Sequence, residues 1–157
     1  MSSSHALLFA FLIGIFCGLR ALTPPAVVSW GARAGWLTLT GRLAWIASLP
    51  AAIVLTLLAL GELVNDKLPK TPPRTAPPSF IFRLLTGGLS GACIACGGGQ
   101  RVAAGSIAGI VGAALGTLGG YKIRTGIVSA LHFPDIIVAI AEDLVAIVGA
   151  VVSAMRF

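Results

Sequence analysis

The sequence predicts an all-α membrane protein. It should have about five transmembrane helices, short broken or re-entrant helices, and an inverted repeat relating the first two spans to the last two. Three observations carry that expectation. Of 157 residues, 57% are hydrophobic and 10% charged, and the mean hydropathy is +0.98. Soluble domains carry about 25% charged residues, so little polar material is left for a water-facing surface. Five apolar stretches approach the roughly 20 residues that one span requires, and with their connections they use nearly the whole chain. Finally, the two ends of the chain match each other weakly at a constant offset.

Taken in order, span 1 runs from about residue 6 to 19 or 22 and closes on Gly18-Leu19-Arg20-Ala21-Leu22-Thr23-Pro24-Pro25. The proline pair cannot continue an α-helical ladder, and it biases Thr23 away from helical geometry. The apolar run lacks a basic leader and a small-x-small cleavage site, so it reads as a retained span. A short amphipathic piece follows over about 26–34, with Trp30 and Trp36 suited to an interface. Span 2 covers about 43–64, with Pro50 in its first third and Glu62 near its end. The connection over 65–78 holds five of the nine prolines and reads as extended and water-exposed. Span 3, about 80–96, ends in the glycine triplet 97–99, which marks a turn. Span 4, about 102–118, carries Gly105, Gly109, Gly112, Gly116 and Gly120 along one side, a small-xxx-small face for close helix contact. Span 5 follows Pro134 and runs to about residue 155.

The repeat rests on Gly14, Gly18, Arg20 and Thr23, which match Gly116, Gly120, Lys122 and Thr125 at an offset of 102. Helix breakers fall at corresponding places, Pro24 and Gly126, and each copy leads to a span containing a glutamate, Glu62 or Glu142. On this reading the single polytopic domain divides into repeat 1 (about 6–68), a connector helix (about 80–99) and repeat 2 (about 102–157). One connector helix reverses the second copy, as in transporters built from inverted repeats. Loop charge is nearly balanced, six basic residues against five. Lys67, Lys70 and Arg74 crowd one polar loop and favour an N-inside orientation.

All five acidic residues fall in two clusters, Glu62 with Asp66 and Asp135 with Glu142-Asp143. Glu142 and Asp143 lie about 12 Å of helix rise into span 5. An acid at the centre of a membrane helix costs on the order of 2.5–3.5 kcal/mol, so it needs a partner or water. The expected pairing crosses the repeats, with Arg20 on Glu142 and Lys122 or Arg124 on Glu62. Thr23 and Thr125 hydroxyls and freed backbone groups complete the candidate transport or binding set. Glu142 is expected to matter most, facing the interior toward Arg20 or a wet cavity, while Asp143 serves a neighbouring helix.

Other chemistry finds little support. The net charge of +6 comes from Lys and Arg spread over loops and helix ends, which argues against nucleic acid. Cys93-Ile-Ala-Cys96 has redox spacing but sits in a Gly/Ala-rich span, where small residues pack helices. His132 and His5 are the two histidines, too few for a metal site, so no metal or cofactor is expected. No nucleophile motif or phosphate loop occurs, and no enzyme is expected.

The segments Gly18-Leu19-Arg20-Ala21-Leu22-Thr23-Pro24-Pro25, Glu62-Leu63-Val64-Asn65-Asp66-Lys67-Leu68-Pro69 with Pro72-Pro73-Arg74-Thr75, and Glu142-Asp143 resemble a family of small bacterial integral-membrane proteins known as a domain of unknown function. That resemblance implies a multi-pass protein of the bacterial inner membrane and assigns no chemistry. From the residues themselves, the expected function is a small transporter or channel for an ion or small polar solute. The alternative is a non-catalytic scaffold or assembly protein whose intramembrane ion pairs are structural. The glycine face of span 4 further predicts a homodimer within the lipid bilayer.

Overall fold

The computed structural model describes residues 3–66, 75–131 and 135–155, and among these it contains helices and no strands. Six α-helices and one 3₁₀ segment follow in order: α1 (Ser3–Leu19), α2 (Thr23–Arg33), the 3₁₀ segment Gly41–Ala47, α3 (Leu49–Asn65), α4 (Pro77–Gly97), α5 (Val102–Leu131) and α6 (Asp135–Ala154). Local chemistry sets their ends. Prolines occupy the first helical positions of α2, α3 and α4, where a missing N–H costs nothing. The Ser48 hydroxyl caps α3 by accepting from Ala51 N at 3.3 Å. Gly35 (φ +82°) follows α2 and Gly99 (φ +67°) follows α4, both in the left-handed conformation that lets a chain leave a helix sharply.

Helices α4, α5 and α6 are each long and apolar enough to cross a membrane, and the 3₁₀ segment with α3, bent by 66°, makes a fourth candidate. This is a multi-pass membrane protein. Its outward-facing residues agree: Leu57, Leu60 and Val64 on α3 and Ile140, Leu144 and Val148 on α6 are exposed, a surface suited to lipid.

The interior is built by α1, α4 and α5, the three most closely packed helices. Lipid tails are as apolar as leucine, so membrane helices associate through close packing and polar contacts. Here the packing is glycine on backbone. A Cβ added at Gly109 would collide with the Gly87 carbonyl, and one at Gly14 with Gly109 itself. Gly112 lies against Phe11, Gly116 against Ile15, and Gly105 against Gly91. The glycine face expected of span 4 is therefore present, and its partners are helices of the same chain.

These contacts also fix helix direction. Phe11–Gly112 and Ile15–Gly116 show α1 and α5 running parallel, whereas Gly87–Gly109 and Gly91–Gly105 make α4 antiparallel to both. Helix α6 runs against α1, with Gly149 on Phe16 and Asp143 on Arg20. Helix α2 turns back beside α1, carrying Gly31 to the level of Ala154 at the far end of α6. Thus α1 and α2 form a hairpin that enters and leaves at one end of the molecule, with its tip at Arg20–Leu22.

Four expectations are corrected. Five spans are not reached among the described residues: α4, α5, α6 and the bent pair qualify by length and composition, and α1 is a shorter apolar helix from which the chain turns back through α2. No break follows Arg124: α5 is one helix of 30 residues from Val102 to Leu131, continuing 13 residues past the expected end near 118. Without proline, Gly126 is tolerated inside a helix at modest cost. The inverted repeat fails on direction, since inversion about an axis in the membrane plane requires the matched helices α1 and α5 to be antiparallel, and they are parallel. Thr23 is the first residue of α2 and not a non-helical linker. The polyproline connection at 67–74 and His132–Pro134 lie outside the described residues.

Candidate functional site

Breaking a helix inside an apolar environment orphans backbone groups on both sides of the break, and each must find a partner within the protein. The α1–α2 tip shows where they go. Arg20 N donates to Phe16 O at 2.8 Å, closing α1. The Glu62 carboxylate, from the end of α3, accepts from Ala21 N at 2.7 Å and Leu22 N at 2.8 Å. Arg83 Nη1, from α4, donates to Leu19 O at 2.8 Å and Gly18 O at 3.0 Å. Thr117, from α5, donates to Gly18 O at 3.3 Å. The signs match the helix dipoles, with a carboxylate at the N-terminus of α2 and a guanidinium at the C-terminus of α1. Arg83 Nη2 also lies 3.5 Å from Glu62 Oε1, tying the two caps together.

Beside this double cap lies an ion-pair network centred on Arg20, which is 0% exposed. Its Nε donates to Asp143 Oδ1 at 2.5 Å, its Nη2 lies at the same distance from that oxygen, and its Nη1 pairs with Asp66 Oδ2. Arg124 Nη1 is 3.5 Å from Asp66 Oδ2 and 3.6 Å from Glu142 Oε2. The planar guanidinium suits this role because its fork serves two carboxylates at once. Counting helix rise, Arg83 lies about 9 Å into α4, Arg124 about 10 Å from the end of α5, and Asp143 about 12 Å into α6. The cluster therefore occupies one level, inset from the same end of all three helices.

Of the residues singled out in the sequence, Arg20, Glu62, Asp66, Arg124, Glu142 and Asp143 are brought together. Thr23 sits at the tip, 6% exposed, and its Oγ1 has no hydrogen-bond partner. Lys122 and Thr125 stand apart on an exposed stretch of α5, the Thr125 hydroxyl bonding to Tyr121 O and Lys122 O of its own helix. The expected pairings are exchanged: Asp143, not Glu142, holds Arg20, and Arg83, not Lys122 or Arg124, meets Glu62. Glu142 pairs with Arg124 instead. Lys122 stands on an exposed side of α5, whereas Arg124, two residues on, is half-buried and reaches Asp66. Arg83 is the residue that sequence reasoning missed.

A family model described as "Domain of unknown function (DUF4126)" matches residues 7–155. The chain belongs to that family. No curated protein and no solved structure matches it. The match takes in the whole helix break and every charged residue of the cluster.

Among the described residues, two cavities border the cluster. One, of about 400 Å³, lies between α3 and α4. Glu62, Asp66 and Arg83 line it together with the tip residues Ala21 and Leu22. The other, of about 260 Å³, lies between α5 and α6, where Glu142 and Arg124 are set among Leu19, Ile123, Ile127 and Val138. Glu142 thus faces an apolar cavity and Arg124, while the cavity richer in polar groups opens on Glu62. Cys93, buried in the core with Ile94 and Ile13, has the surroundings of a packing residue.

Proposed function

We propose that this protein is a small transporter or channel of the bacterial inner membrane for an ion or small polar solute. The observation that carries the reading is the 400 Å³ cavity reaching a helix break and its charged caps. Irregular backbone at membrane depth is tolerated where it is enclosed by protein or lines a cavity, and such breaks are where transporters place their sites. In this reading the 3₁₀–α3 pair, α4, α5 and α6 cross the bilayer, and the α1–α2 hairpin dips in from one face. Both described ends of the chain then lie on the same side. The protein acts without catalysing a reaction. A homodimer would use the lipid-facing sides of α3 and α6, because Gly105, Gly109, Gly112 and Gly116 of α5 are occupied within the chain.

A second reading, a scaffold or assembly protein, draws on a different observation. Both oxygens of Glu62 accept backbone hydrogen bonds, and Nε and Nη1 of Arg20 bond to Asp143 and Asp66 while Nη2 lies beside Asp143 without a hydrogen bond, close to what a structural network would arrange. Flux of Na⁺, K⁺, H⁺ and small anions through proteoliposomes, measured beside melting temperature for wild type and Asp66→Asn, separates the two. Transport predicts wild-type flux that Asp66→Asn alters. Absence of any flux, with a large fall in melting temperature for Asp66→Asn, refutes transport and supports the scaffold.

A further inference from the structure

We infer that the end of the molecule opposite the helix break is a docking surface for the headgroups of anionic phospholipids, with Arg42 and Arg101 as its phosphate contacts. Such a surface would serve a transporter and a scaffold alike, and it requires no helix to move. The helix directions sort the charges. At the end that carries the break, α1 and α3 finish and α4 and α6 begin. Every acid of the chain belongs there: Glu62 and Asp66 at the close of α3, Asp135 at the start of α6, and Glu142-Asp143 in its first half. Arg20, Arg83 and Arg124 at that end are all paired with these acids. At the opposite end α2 and α4 finish and α5 begins, and Arg33, Arg42 and Arg101 stand there exposed. Among the described residues, none of these three side chains has an ion pair or hydrogen bond.

The two arginines are brought to one surface by the turns that hold them. Gln100 N donates to Ala95 O at 2.7 Å and Gly99 takes φ +67°, a turn that ends α4 and leads to Arg101. The connection from α2 to the 3₁₀ segment lies on this same turn. A Cβ at Gly97 would sit 2.7 Å from Leu37, and the Thr40 hydroxyl is 3.7 Å from Cys96 Sγ. Arg42 follows Thr40 by two residues. Local helix electrostatics account for Arg33, which ends α2 at the negative pole of its dipole. They do not account for Arg101, which directly precedes α5, where the dipole favours an acid. An anion from outside the chain does. Helix α4 has 21 residues, about 31 Å of rise, against a hydrocarbon thickness of roughly 30 Å. The turn after it therefore emerges at headgroup level, where the anion at hand is a lipid phosphodiester. A guanidinium grips that group with two parallel hydrogen bonds, and each surface arginine adds about fivefold to the affinity for an anionic leaflet. The aromatic residues agree. All three tryptophans lie on the segments leading to this end: Trp30 in the last turn of α2, Trp36 in the connection and Trp45 in the 3₁₀ segment. Trp30 and Trp45 are 44% and 56% exposed, as suits rings at a membrane interface.

Because the chain has no other tryptophan, fluorescence excited selectively over Tyr121 reports on the lipid at this end alone. The test reconstitutes the full chain in phosphatidylcholine bilayers containing increasing fractions of brominated phosphatidylglycerol or brominated phosphatidylcholine, whose bromines quench tryptophan on contact. Phosphatidylglycerol should quench with a relative affinity at least about fivefold higher, the equivalent of one surface arginine. Arg42→Gln with Arg101→Gln should bring that ratio below about twofold, and the corresponding pair of lysine substitutions should keep most of it. Lys122→Gln removes an exposed base at the other end and should leave the ratio unchanged. Both arginines are exposed and unpaired among the described residues, so the glutamine variant should melt within about 2 °C of wild type. A ratio near one in wild type overturns the proposal and leaves the arginines to an acidic protein partner. A ratio that survives in the glutamine variant, or falls equally with Lys122→Gln, also overturns it, because the preference then follows net charge and not this surface. Displacement of brominated phosphatidylglycerol by millimolar inorganic phosphate does the same, by making the site one for a free ion.

Discussion

Helix α1 is held in two different ways within two turns of its own length. At Gly14 it touches α5 backbone to backbone, with no side chain between the two helices at that position. At Arg20, about 9 Å further on, it is held by carboxylates from α3 and α6. Both are answers to the same difficulty, that a bilayer gives helices no hydrophobic reason to meet. The glycine contacts select by size and are indifferent to charge. The tip contacts select by charge and fork geometry, and they alone also satisfy the backbone groups that the break leaves open. Continuous helices are joined by the first device, and the interrupted one ends in the second.

The largest effect should come from removing the centre of the charged region. Arg20→Met leaves Asp66 and Asp143 buried without their main partner, a loss of about 3–5 kcal/mol for a fully buried pair. Arg20→Lys should recover only part of it, because one ammonium cannot replace a fork that reaches two carboxylates. Thermal unfolding in mild detergent measures both, and a loss under about 1 kcal/mol for Arg20→Met would show that water already solvates the site.

In the glycine region a single methyl should matter. Gly109→Ala forces α4 and α5 apart at the Gly87 carbonyl, with an expected cost of about 1–3 kcal/mol, the usual penalty for overpacking. The same unfolding assay reads it. If Gly109→Ala unfolds like wild type, the close approach of α4 and α5 is not what holds the interior.

These two regions were legible to different degrees. The glycine face was plain in the sequence, because spacing of three and four residues identifies a helix side whatever it packs against. The charged residues were equally visible, since an acid in an apolar run demands an explanation. What spacing does not encode is helix direction. A proline pair can kink a helix or turn it back, and only the packing of Gly31 near Ala154 reveals the hairpin. With α2 turned back, Arg20 still meets α6 and Arg124 still meets the end of α3, but on Asp143 and Asp66 and not on Glu142 and Glu62. Arg83 was hidden for another reason. It lies six residues into α4, where arginines commonly reach outward to the membrane surface, whereas this one turns inward to Gly18 and Leu19.

The difference between the two neighbouring acids is a finer test of that consequence. Their side chains are about equally exposed, 11% for Asp143 and 10% for Glu142, so burial does not distinguish them. Geometry does, with Asp143 at 2.5 Å from Arg20 and Glu142 at 3.6 Å from Arg124. Asp143→Asn should cost about 1.5–3 kcal/mol, the range for a hydrogen bond to a charged group. Glu142→Gln should cost less than Asp143→Asn, because its contact with Arg124 is longer. The reverse order in unfolding measurements would return Glu142 to the central place that sequence reasoning gave it.

The smallest effect has the opposite sign and tests where the second device is absent. Gly126 occupies the position matched to a helix break in the first half of the chain, yet α5 continues through it. An added Cβ there meets nothing within 4 Å, in contrast to the backbone collisions at Gly109. The substitution therefore isolates backbone freedom from packing. If α5 is continuous, Gly126→Ala removes conformational entropy from the unfolded chain and should stabilise by about 0.4–1 kcal/mol. If the helix instead opened at this point, alanine would oppose the opening and alter solute flux without a matching gain in stability. Unfolding and proteoliposome flux measured on the same preparation distinguish these outcomes. A stabilised protein with unchanged flux confines the functional break to Arg20–Leu22, where the caps are charged and the chain turns back.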